Sequence, residues 1–180
     1  MGDSNVDGRV LLGTVGWQRG DWLSNYYPAD LPSEWRLAYY ANDCDCVLLR
    51  AEAWSGVDPD LLQESIEEAE GRPVYFLEAA PGWGSRERDR LSLFAAGRAV
   101  VLTDRPDPRQ TQLPQWTAQG PGAWVDTDSA AGLLCWSLDR WDMRALGSRV
   151  GAMPADTRAL ILDGPMARPS RVPDLRTLLE

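Results

Sequence analysis

Cys46–Leu77, CVLLRAEAWSGVDPDLLQESIEEAEGRPVYFL, opens and closes on a short apolar run and carries one helical pattern between them. Neither Cys46–Leu49 nor Val74–Leu77 alternates with polar residues, as expected for strands covered on both faces. Asp58 and Pro59 read as N-cap and first helical residue. After them Leu61, Leu62, Ser65, Ile66 and Ala69 share one face, while Glu64, Glu67, Glu68 and Glu70 point to water. Strand, helix and strand in this order imply a right-handed crossover and a parallel sheet.

The same kind of run recurs outward from this stretch, at Val10–Leu12, Ala99–Leu102, Ala123–Val125, Leu133–Trp136 and Ala159–Leu162. Helical spacing predicts a short helix over Ser33–Asn42. A second follows Ser85, with Leu91, Phe94 and Ala95 inward and Gly97 closing it; a third runs from Asp139, with Trp141, Ala145, Leu146 and Val150 on one face. Pro106–Gly122 shows neither pattern and reads as loop. A complete eight-stranded βα barrel typically takes about 250 residues and rarely fewer than about 200. At 180 residues the chain is short for one. The expected fold is therefore α/β: a TIM-barrel-like parallel βα fold, shortened or incompletely closed, in a single domain over residues 1–180.

Composition narrows the chemistry. There is no histidine, and all 18 basic residues are arginine, so imidazole catalysis, Schiff-base lysines and the lysine of a P-loop are excluded. A formal net charge of -9 argues against nucleic acid, whose binders carry basic stripes. Met1–Gly8 is polar, with no apolar core of a leader, and no apolar run approaches the roughly 18 residues of a membrane span. We expect a soluble, cytoplasmic protein with no membrane partner. Three cysteines are no disulfide framework. Cys44 and Cys46, two apart and so facing one side of a strand, would with Cys135 suit a three-thiolate metal site; buried free thiols are the commoner outcome and our reading. No metal ligand is assigned, and the cofactor stays unknown.

Gly13-Thr14-Val15-Gly16-Trp17, Asp21-Trp22, Tyr26-Tyr27-Pro28, Leu31-Pro32, Trp35 and Tyr39-Tyr40-Ala41 resemble the opening of the YecE-like domain-of-unknown-function family. The likeness runs to about Trp54; Ala159–Gly164 and Leu175–Leu179 are weakly similar to the family's closing strand and helix. Membership would imply a βα barrel with its site at the C-terminal strand ends, but no reaction, since none is established for the family. Where the family usually reads Val-Glu-Ile-Asn followed by Thr-Phe-Tyr, this chain has Val47-Leu48-Leu49-Arg50 and then Glu52-Ala53-Trp54. A site built on that glutamate and asparagine is rebuilt here or lost.

Read from the residues alone, the strand ends carry Thr14 and Trp17, Arg50 and Glu52, Glu78, Asp104, Asp126 and Asp163. On a closed or nearly closed parallel sheet these converge. Glu52, Glu78 and Asp104 are the candidate catalytic acids and bases, because neighbouring carboxylates divide those roles and can also hold a divalent ion. Arg50 suits an anionic group, and Trp17 and Trp54 would offer aromatic faces to a substrate. Acids after strands are also ordinary helix caps, and tryptophans such as Trp35 and Trp141 ordinary core. Gly82-Trp83-Gly84-Ser85 opens a helix as a phosphate cradle does, and as common βα turns do. Two readings follow. One is an enzyme acting on a small sugar-like or anionic ligand; the other is a non-catalytic, degenerate relative that meets a protein partner through its aromatic loops.

Overall fold

The computed structural model describes residues 9–79, 82, 84–95 and 97–180. β1 (Leu11–Val15), β2 (Cys46–Leu49), β3 (Val74–Glu78), β4 (Ala99–Thr103), β5 (Gln115–Gly120), β6 (Ala123–Val125), β7 (Gly132–Ser137) and β8 (Thr157–Asp163) close into one barrel in chain order. Every apolar run named above lies in or overlaps one of these strands. β5 is additional and falls in the stretch expected to be loop.

The expectation of a TIM-barrel-like parallel βα fold, shortened or incompletely closed, is corrected on two counts. The sheet closes, with β1 paired to β8 from Leu11 to Thr14. It is also mixed, because β6 runs antiparallel to both β5 and β7. Helices are few and short among the described residues: α1 (Arg36–Tyr40), α2 (Ala51–Ser55), α3 (Pro59–Glu68), α4 (Ser85–Leu91), α5 (Met143–Gly151) and α6 (Val172–Arg176), with 3₁₀ turns at Ser33–Trp35 and Pro169–Arg171. The molecule is a closed mixed β-barrel and not an alternating α/β fold.

Connection length is the physical reason. A parallel return needs about a dozen residues or more, whereas an antiparallel neighbour can follow a tight turn. Only Pro121 and Gly122 separate β5 from β6, and residues 126–131 separate β6 from β7, so β6 has to reverse. Gly122 adopts φ +68, and a Cβ there would lie 2.7 Å from the Cys135 carbonyl oxygen, so the turn excludes any other residue. Asp126 and Ala131 close the second connection through a 2.9 Å backbone bond.

Alternation along each strand sorts the core into two layers. Cys46, Leu48, Phe76, Leu102, Trp116, Leu133, Ala159 and Ile161 form one apolar cluster made of strand residues alone, which is the barrel lumen. Val47, Leu49, Tyr75, Leu77, Val101, Leu160 and Leu162 face outward and are covered by Leu37, Leu62, Leu91, Leu146 and Leu175 of the helices. Gly13 brings β1 against β2: a Cβ there would stand 1.9 Å from the Cys46 carbonyl oxygen. Cys44 precedes β2 and packs in the outer layer while Cys46 fills the lumen, so the two thiols do not share a face. Two helix boundaries also move. α4 ends at Leu91, well before Gly97, and α5 begins after Asp142, whose carboxylate accepts from the Arg144 and Ala145 N–H groups at 3.0 and 3.1 Å.

Candidate functional site

Carried one step of two past its apolar layer, the lumen register reaches Arg50 after Leu48, Glu78 after Phe76, Asp104 after Leu102, Cys135 after Leu133 and Asp163 after Ile161. The mouth of the barrel is thus polar where its interior is apolar. A cavity of about 830 Å³ opens there, lined by Arg50, Glu52, Glu78, Thr103, Asp104, Arg105, Trp124 and Cys135, with Gly120-Pro121-Gly122 along one edge.

Arg50 organises this mouth. One guanidinium nitrogen donates to Glu78 Oε1 at 3.0 Å and the other to Asp163 Oδ2 at 3.1 Å, so a single cation ties the end of β3 to the end of β8. Each partner residue has a further anchor, Asp163 at its carboxylate and Glu78 at its backbone. The Gly164 N–H donates to Asp163 Oδ1 at 2.7 Å, and Trp54 Nε1 donates to the Glu78 backbone carbonyl at 2.9 Å. Gly164 sits at φ +92 with its would-be Cβ 2.7 Å from the Leu138 carbonyl oxygen, which reserves the position for glycine. Burial would lower the Arg50 pKa, but the charge and hydrogen bond of Glu78, with Cys135 and Asp163, carry it above its ordinary value. Burial, joined by the charges of Asp163 and Glu78 and opposed by Arg50, pushes the Cys135 thiol up to about 11. At neutral pH Cys135 is therefore a neutral part of the wall, because the thiolate is the nucleophilic form.

The other residues read from sequence divide. Glu52, in the first turn of α2, and Asp104, just past β4, are exposed on the same cavity, and their carboxylates make no hydrogen bond or ion pair among the described residues. Trp54 is fully buried in the outer layer, where it supports Glu78 from behind and does not line the cavity. Trp17 lines a different, apolar cavity against α2 and α3. Thr14 is also buried and faces the helices, bonded to Tyr40. Asp126 lies at the opposite end of the barrel, since the strand that precedes it runs backwards. In the glycine turn, Trp83 lies outside the described residues, and the Gly84 N–H is already taken by Glu87 Oε2 at 2.8 Å.

Trp124, Arg105 and Cys135 went unread as lining residues. Trp124 and Cys135 lie on β6 and β7, and the glycines flanking Pro121 are the sequence signal from which the β5–β6 hairpin could have been drawn; Arg105 stands two residues past the end of β4. Chemically the mouth offers an excess of carboxylate over guanidinium, a half-buried indole and a small-residue edge. With both ends of its fork engaged, Arg50 has no bidentate face left for an anion. Among the described residues no group of three or more Cys, Asp or Glu side chains is placed to hold a metal ion. No family model, no curated protein and no solved structure matches this chain.

Proposed function

We propose that the barrel mouth binds a small, neutral, hydroxyl-rich molecule of sugar-like chemistry. Glu78, held in place by Arg50, serves as a fixed hydrogen-bond acceptor, and Trp124 is the apolar face against a ring. Glu52 and Asp104, unpaired on the same cavity, are the carboxylates available for proton transfer. The observation that carries this reading is the Arg50 bridge, which holds two carboxylates in one geometry and leaves Arg105 as the one lining guanidinium outside an ion pair among the described residues, against the carboxylates of Glu52, Glu78 and Asp104. The likeness to the YecE-like family belongs to the same proposal for the first quarter of the chain and adds no reaction to it.

Thermal unfolding in the presence of glucose, glucosamine, glucose 6-phosphate and inorganic phosphate tests it. A ligand at about a hundred times its Kd stabilises the folded state by about 2.7 kcal/mol. A neutral or amino sugar should raise the Tm and the phosphates should not, with the effect lost in Glu78→Gln and kept in Asp126→Asn. Stabilisation by the phosphates alone would sink the reading.

One observation favours a non-catalytic, protein-binding role: Trp35 and Leu61 are 53% and 58% exposed, large apolar groups on neighbouring elements. Light scattering after size exclusion would bear on it. A larger species that reverts to monomer in Trp35→Ala supports this role, and a monomer at all concentrations counts against it.

A further inference from the structure

Arg90, in α4, is 6% exposed, and among the described residues it has no ion-pair partner. A buried cation without a counter-charge has to be satisfied by hydrogen bonds. One guanidinium nitrogen supplies them, donating to the Trp54 carbonyl at 3.2 Å and to the Val57 carbonyl. Both acceptors lie at or just past the C-terminal end of α2, where unpaired carbonyls gather and the helix dipole favours a cation. Arg90 does not line the mouth cavity, yet α2 brings two residues to it. Arg50 is its N-cap and Glu52 lies in its first turn. Five residues do not hold a helix by their own hydrogen bonds, since isolated helices below about 12 residues are marginal in water. The place of α2 is therefore set by what grips it. Two grips are the Arg90 guanidinium and the Trp54 indole, which donates to the Glu78 carbonyl at 2.9 Å. A run of contacts thus leads from α4 through α2 to the pair of Arg50 with Glu78. Stability alone gives little reason for a guanidinium at this position, because an apolar side chain of similar length would avoid the cost of burying the charge.

We propose that Arg90 is a positioning residue of the barrel mouth: by fastening the C-terminal end of α2 it fixes where Arg50 meets Glu78 and where Glu52 stands on the cavity. This rests on the reading of the mouth as a binding site. Cys135, in the cavity wall, reports on Arg50 without any ligand, through rates of alkylation followed by mass spectrometry against pH. In Arg90→Met the rate at pH 9 should fall about threefold, because Arg50 moves away from the thiol and less of it is thiolate. Arg90→Lys, which keeps a donor and a charge, should restore most of the rate. In an Arg50→Met background Arg90→Met should change nothing further, the mark of two residues acting through one contact. Trp54→Phe cuts the next link while keeping an aromatic ring and should act as Arg90→Met does, which tests the same path even where Arg90→Met does not fold. Titrations with glucose and glucosamine supply a second readout. Binding should weaken roughly tenfold in Arg90→Met, as it does when a supporting contact behind metal ligands is lost. Failure of both sugars to bind the intact protein overturns the sugar reading and leaves the Cys135 result to decide for Arg90. An alkylation profile unchanged in folded Arg90→Met or Trp54→Phe overturns the proposal. So does an equal fall in the Arg50→Met background, or sugar binding that Arg90→Met leaves unaltered.

Discussion

Arg50 joins parts of the chain that are far apart, and its loss should be felt at both ends. With side chains between 32% and 39% exposed, the two ion pairs are discounted by solvent, and Arg50→Met is expected to cost about 1–2 kcal/mol in urea unfolding. The same substitution should alter Cys135. Its thiol is raised from an ordinary value near 9 to about 11, so at pH 9 only about one molecule in a hundred carries the reactive thiolate. Alkylation by iodoacetamide should therefore climb between pH 9 and 11 instead of levelling off near 9. Because Arg50 is the charge that lowers this pKa, Arg50→Met should move the profile still higher. The linked effect on stability has a definite sign: a folded-state pKa above the unfolded one means stability present below pH 9 and lost as pH rises through 11. The identities of Arg50, Glu78 and Asp104 as strand-end polar residues could be read from where apolar runs stop. That Arg50 turns to Glu78 and Asp163, and so is spent as an anion binder, could not, because those partners are 28 and 113 residues away.

Elements depend here on positions where no side chain fits. Gly13→Ala would set a methyl group 1.9 Å from a β2 carbonyl and should prevent β1 from pairing, leaving insoluble or unfolded protein on expression. Gly122→Val combines a left-handed backbone with a Cβ only 2.7 Å from the Cys135 carbonyl oxygen, and should cost at least about 2 kcal/mol in chemical unfolding. Asp142→Ala removes only the cap of α5 and should cost about 1 kcal/mol. Strand existence was legible because a continuous apolar run has few other destinations. β5 was not, because Gln115-Trp116-Thr117-Ala118 buries only Trp116 fully and so lacks such a run. Strand direction was also hidden in the runs themselves and lay in the brevity of the connections between them.

For the whole molecule, a net charge of -9 on 180 residues sets up self-repulsion that salt relieves. Raising sodium chloride from about 20 to about 300 mM, where the Debye length falls below about 10 Å, should raise the Tm, as scanning calorimetry would show. A falling Tm would mean that the ion pairs of Arg50 with Glu78 and Asp163, and those of Asp45 with Arg9 and Arg176, outweigh the general repulsion. No helix among the described residues is long and apolar enough to cross a membrane. The sequence by itself determined the absence of imidazole and amine chemistry, the acidic surface, most strands, and the polar residues that end them, because these follow from composition and local periodicity. Tertiary structure alone decided that the sheet closes, that β6 reverses, that Trp17 and Trp54 leave the mouth for other surroundings, and that Arg50 clamps two carboxylates. Each of these depends on which distant strands become neighbours, and pairing is settled by connection length, glycine contacts and closure of the whole barrel at once.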